Sequence, residues 1–153
     1  MALRCIAVAA LLVLTPHAAS TAPICAAQEA GTLFHCKIKG SSREVTVCDL
    51  AGDRFLYSYG KPGSPPEIEL FRQKSEVFYT PWNGISRSIW AKLGFENKGY
   101  RYEVIWSVLK GGSEPAEGYL DIFEPGNDNP VATKECAAGT VDSRLDGLWE
   151  RFE

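Results

Sequence analysis

The densest group of chemically useful side chains lies in the run Thr80-Pro81-Trp82-Asn83-Gly84-Ile85-Ser86-Arg87-Ser88-Ile89-Trp90. A Pro-Trp-Asn-Gly turn presents a rigid indole, and after it the hydroxyls of Ser86 and Ser88 flank the Arg87 guanidinium. That set suits carboxylate recognition, because a planar guanidinium can donate two parallel hydrogen bonds to one carboxylate. The plain alternative is a hairpin turn with Trp82 and Trp90 packed inside. A second group, Glu96-Asn97-Lys98-Gly99-Tyr100, reads as a hairpin tip that carries a cation and an aromatic ring.

Other chemistry has little to be built from. His35 is followed by Cys36, and neighbours on a strand point to opposite faces, so the two cannot form a Cys-His nucleophile pair. Carboxylates such as Glu67, Glu103 and Asp121 are plentiful, but no pair is singled out for acid/base work, and surface solvation accounts for them. Gly126-Asn127-Asp128-Asn129 lacks the spacing and distal Glu of a calcium loop and reads as a turn. The expectation is a protein that is not an enzyme and uses no metal or cofactor. A net charge of −3 gives no electrostatic reason to expect nucleic acid as a partner.

The amino-terminal segment looks like an address. One charge at Arg4, an apolar run over residues 5–14 and small residues around Ala19 and Ala22 form the pattern of a cleavable signal peptide. The run is about half the ~20 residues that a helix needs to span a bilayer. Cleavage after Ala19 or Ala22 fits equally, and Ile24 before Cys25 argues against lipidation. The expected organisation is a signal over 1–22, a leader over 23–31 and one β domain over 32–153. Losing Arg4 takes the net charge to −4 and leaves His35 as the lone histidine. The expected location is the periplasm.

Cys5 leaves with the signal, and Cys25, Cys36, Cys48 and Cys136 remain. An even count in an exported chain reads as disulfides, and four cysteines allow three pairings. The gaps of 11, 12 and 88 residues lack the close pairs of a zinc site. Cys36 and Cys48 could face each other across a hairpin, or one of them could join Cys136 and tie the start of the domain to its end.

From Thr32 onward, runs rich in Val, Ile, Phe, Tyr and Thr alternate with Gly, Pro, Asn, Asp and Ser. Strands are predicted over residues 33–38, 44–49, 54–59, 67–72, 76–80, 87–95, 100–108, 118–123 and 131–136. In the run 100–108, Tyr102, Val104 and Trp106 share one face, while Arg101, Glu103 and Ser107 share the other. Only residues 143–152 show helical spacing, with Leu145, Leu148, Trp149 and Phe152 on one stripe. The fold class expected is all-β: an antiparallel β-sandwich or small barrel of about eight strands with a short C-terminal helix, stapled by disulfides.

An exported β domain with early and late cysteines (Cys36, Cys136) and two loops in order (Asn83-Gly84, then Lys98-Gly99) resembles the lysozyme inhibitors of Gram-negative bacteria. The periplasmic and membrane-bound members that act on c-type lysozymes carry Ser-Gly-x-x-Tyr and Tyr-x-x-x-Lys-Gly loops. Gly84, Lys98 and Gly99 match, whereas Asn83, Arg87 and Gly94 stand where that family has Ser, Tyr and Tyr. The inhibitors of invertebrate-type lysozymes are an equally good comparison. The resemblance implies loops that enter the lysozyme cleft and hydrogen-bond its catalytic carboxylates. The expected function is therefore binding, with Trp82, Ser86, Arg87, Ser88, Lys98 and Tyr100 as site residues and a protein partner such as a lysozyme. A carbohydrate or small-ligand module, with Trp82, Trp90 and Tyr100 as a stacking platform, is the alternative.

Overall fold

The computed structural model describes residues 22–153; residues 1–21, all but the last residue of the expected signal segment 1–22, lie outside the described residues. Two five-stranded antiparallel sheets face each other, an arrangement that agrees with the expected all-β class. The first sheet is a meander of β1 (Gly31–Lys37), β2 (Glu44–Leu50), β3 (Arg54–Gly60) and β4 (Ile68–Gln73). A single 3-10 turn, Lys74–Glu76, carries the chain across to the second meander. That sheet comprises β5 (Val77–Pro81), β6 (Ser88–Asn97), β7 (Tyr100–Leu109), β8 (Glu117–Phe123) and β9 (Ala132–Glu135). The two-residue β10 (Asp142–Ser143) then returns to the first sheet beside β1, with Phe34 opposite Ser143.

The alternation read in β7 has the expected consequence. Val104 is buried, and Tyr102 and Trp106 pack on the core, while Arg101 and Glu103 form an ion pair on the outer face. Opposing side chains from the first sheet include Phe34, Val47, Phe55 and Tyr57, which meet Leu93 and Phe95 of β6. Burial of apolar surface at this inner face supplies the main driving force for folding.

β2 and β3 are buried on both faces. Val45 and Val47 look into the sandwich, while Cys48, Leu50 and Leu56 belong to a second apolar cluster with Ala22 and Cys25. That second cover is the helix α1 (Pro23–Ala27), which starts on a proline and is joined to β2 through Cys25–Cys48. Residues 23–31, expected as a leader, are thus a packed part of the fold, because the outer apolar side chains of β2 and β3 need a lid.

The disulfides are Cys25–Cys48 and Cys36–Cys136. A Cys36–Cys48 bridge is not formed: in the β1–β2 register Cys36 faces Val45 and Cys48 faces Thr32, and the two thiols serve opposite faces. The long bridge sits where β9 runs onto the end of β1. There Ile38 and Cys136 form an isolated bridge, and the Ala137 N–H donates to the Lys37 carbonyl at 2.7 Å. The two sheets are joined along this side. Gly118, buried in β8, faces the bridge, and a Cβ at that position would stand 2.6 Å from the Cys136 Sγ.

Only part of residues 143–152 is helical in the expected way. β10 takes Ser143, a 3-10 turn covers Leu145–Leu148, and the helix α2 is the single turn Trp149–Phe152. The Arg144 guanidinium donates to the Thr32 carbonyl, which holds the segment as a strand before helix can start. Leu145 and Leu148 still plug one end of the core, as their spacing predicts.

Candidate functional site

The β5–β6 loop is held from several sides. The Trp82 indole N–H donates to the Ile85 carbonyl at 2.9 Å, and the Ile85 N–H donates to Asn83 Oδ1 at 3.1 Å. The Ser86 hydroxyl donates to the Ser88 carbonyl. From the end of β7, the Lys110 N–H donates to the Arg87 carbonyl at 2.9 Å, and the Lys110 ammonium lies over the Trp82 ring. With these groups engaged internally, the loop displays Ile85, which is 74% exposed, and the exposed Arg87. Ser86, expected as a recognition hydroxyl, is committed to holding the loop.

β6 carries both expected loops, one at each end. Ser88 begins it and Asn97 ends it, and Lys98-Gly99 then turns the chain into β7. Both turn residues have positive φ, 53° and 83°, the two-residue hairpin geometry that favours glycine at the second place. Ten strand residues at ~3.3 Å each set the loops roughly 30 Å apart. The structure therefore brings Trp82, Ser86, Arg87 and Ser88 together and leaves Lys98 and Tyr100 at the opposite pole. Tyr100 cannot join Trp82 and Trp90 in one platform.

Trp82 and Trp90 instead share a groove with other aromatics. Beside the β5–β6 loop, a groove of about 410 Å³ is lined by Tyr79, Trp82, Trp90, Trp149 and Phe152, with Asp146 among its polar walls. β5 and β6 supply one side and α2 the other. The Tyr79 hydroxyl donates to the Leu145 carbonyl at 2.9 Å, and its ring lies 5.0 Å from that of Phe152. Burial, and then the nearby charge of Asp146, raises the Tyr79 pKa, so this phenol stays a neutral donor. Trp149 and Phe152 were visible in sequence only as part of a helical stripe; nothing in their spacing pointed to Trp82 or Trp90.

No family model, curated protein or solved structure matches the chain.

The remaining chemically suggestive residues have structural partners. His35 shares a hydrogen bond with Thr46 Oγ1 at 3.0 Å through Nδ1, while Cys36 lies in the core. Glu103 and Asp121 stand opposite each other on the outer face of β7 and β8, held by Arg101 and by the Thr133 hydroxyl respectively. The 126–129 segment is a turn in which Asn127 Oδ1 accepts from the Asn129 N–H. Among the described residues, no three His, Cys, Asp or Glu side chains gather as metal ligands. None of the described helices is long and apolar enough to cross a membrane.

Proposed function

We propose that this chain is an exported, periplasmic binding protein without catalytic activity, and that its target is a lysozyme. The observation that carries the reading is the β5–β6 loop, which offers Ile85 and Arg87 to a partner while the Ile85 backbone, the Arg87 carbonyl and the Ser88 backbone are held by internal hydrogen bonds. A loop ordered before contact loses less conformational entropy on binding, the feature by which rigid inhibitory loops gain affinity. Arg87 is the group for the cleft carboxylates, which it can engage bidentately. Trp82 braces the loop from behind. Ser88 is the neighbouring donor, and Lys98 and Tyr100 are too distant to enter the same cleft. A net charge of −4 after loss of Arg4 favours encounter with cationic partners, increasingly so at low salt.

The test is direct. Mature protein at micromolar concentration should protect bacterial cell walls from at least one of the c-, g- and i-type lysozymes. Arg87→Ala should abolish that protection, and Lys98→Ala should leave it intact. Absence of both protection and complex with all three lysozyme types would end this reading.

A further inference from the structure

We infer that the groove between β5, the start of β6 and α2 is a binding site for a neutral carbohydrate, separate from the surface that the loop offers to a protein. Three of the four tryptophans line it, brought together from three places in the chain. Trp149 is 47% exposed, although Leu145 and Leu148 of the same segment are buried. A cavity of about 410 Å³ falls within the range of small-ligand sites, and its lining of aromatic faces with a few polar groups is of the usual kind.

Charge decides the class of occupant. Aromatic walls commonly receive a cation, but here three of the five aromatic rings, Trp82, Trp90 and Phe152, already have one from the protein. The ammonium of Lys110 lies 4.1 Å from the Trp82 ring, that of Lys92 5.6 Å from Trp90, and that of Lys74 5.5 Å from Phe152. At each of those three rings a ligand cation would compete with an ammonium group for the same π charge. An anion fares no better, because the charged side chains in the groove wall itself are Asp146 and Glu153. What fits both is an uncharged ligand with apolar C–H faces to stack on indoles and hydroxyls to donate to carboxylates. A pyranose has both. Unlike the stacking platform anticipated from sequence, this site excludes Tyr100 and depends on Trp149, Asp146 and Glu153.

The experiment titrates the mature protein with the trisaccharides of N-acetylglucosamine and of glucose, followed by tryptophan fluorescence and calorimetry. Choline and a heparin oligosaccharide serve as charged comparisons. Saturable binding of a neutral sugar is expected, weakened about tenfold or more by Trp149→Ala, as truncating a central aromatic anchor does. Trp149→Phe should retain much of it, which separates loss of the site from misfolding. Tyr100→Ala should have no effect. Arg87→Ala should bind sugar normally, and Trp149→Ala should still protect against lysozyme, so failure here and failure of the inhibitor reading are distinguishable. No response to any neutral sugar at millimolar concentration would overturn the proposal. So would preferential binding of choline or heparin, binding indifferent to Trp149→Ala, or self-association that covers the groove.

Discussion

Ser86 engages the backbone of Ser88 twice: its Oγ donates to the Ser88 carbonyl at 2.7 Å and accepts from the Ser88 N–H at 3.3 Å. It does so at a φ of 117°, a region that L side chains rarely adopt and that costs ~1–3 kcal/mol. The clamp and the strain oppose each other. Ser86→Ala loses the clamp and keeps the strain, whereas Ser86→Gly loses both. The glycine variant should therefore be the more stable of the two by about 1 kcal/mol in urea unfolding, and both should show faster amide exchange at Ser88. An alanine variant as stable as the glycine one would contradict this account of the loop.

Tyr57 is fully buried between the sheets, and its hydroxyl has no hydrogen-bond partner among the described residues. Burial, then the neighbouring phenols of Tyr102 and Tyr59, raises its pKa well above the ordinary 10.0. The sign follows from linkage. Below the unfolded pKa both states keep the proton and stability is intact; as pH rises above ~10 only the unfolded chain releases it, and stability falls. Tyr57→Phe should flatten that alkaline decline. At neutral pH it should be neutral or stabilising by up to about 1 kcal/mol, since it removes an unsatisfied buried hydroxyl. Urea midpoints at neutral pH and about one unit above the tyrosine range would check both; a loss of more than ~1 kcal/mol at neutral pH would show that the hydroxyl has a partner in solution.

The two disulfides close loops of very different length, with separations of 100 residues for Cys36–Cys136 and 23 for Cys25–Cys48. In the chain-entropy account these constrain the unfolded state by ~4.7 and ~3.4 kcal/mol. Replacing Cys36 and Cys136 with alanine should lower the unfolding midpoint more than replacing Cys25 and Cys48. The reverse order would mean that the lid formed by α1 matters more than the join between the sheets.

Ala22 bears on processing. It is 9% exposed, its carbonyl accepts from the Cys25 and Ala26 N–H groups, and its own N–H donates to Thr32 Oγ1. A cut after Ala22 would remove the residue that caps α1. With the proposed export, the mature chain should therefore begin at Ser20, after Ala19, as read by intact mass; a mature chain beginning at Pro23 would refute this.

What could be read from sequence and what could not differ for physical reasons. The faces of β7 and the Lys98-Gly99 turn were legible because alternation and turn chemistry are local properties. The α1 lid was not: five residues are too few to show a helical period, and the double-sided burial of β2 and β3 has no signature that distinguishes it from an aromatic-rich strand. Arg87 and Lys98 looked like parts of one site because they are close in the chain. An extended strand separates such neighbours more than any other element does. The groove was hidden for the opposite reason, since periodicity says that Trp149 lies on a helical face but not which strands that face will meet.

The cysteines pair out of order. Cys36 lies between Cys25 and Cys48, and Cys48 lies inside the loop closed by Cys36 and Cys136, so the two bridges interleave. An oxidant that joined thiols in the order of their synthesis would link Cys25 to Cys36 and leave Cys48 to await Cys136. Both bonds would be wrong, and thiolate exchange would have to undo them before the sheets could close. Forming both native bonds without such errors calls for late oxidation, after Cys136 has met the end of β1 at Ile38, or for exchange of the early bonds.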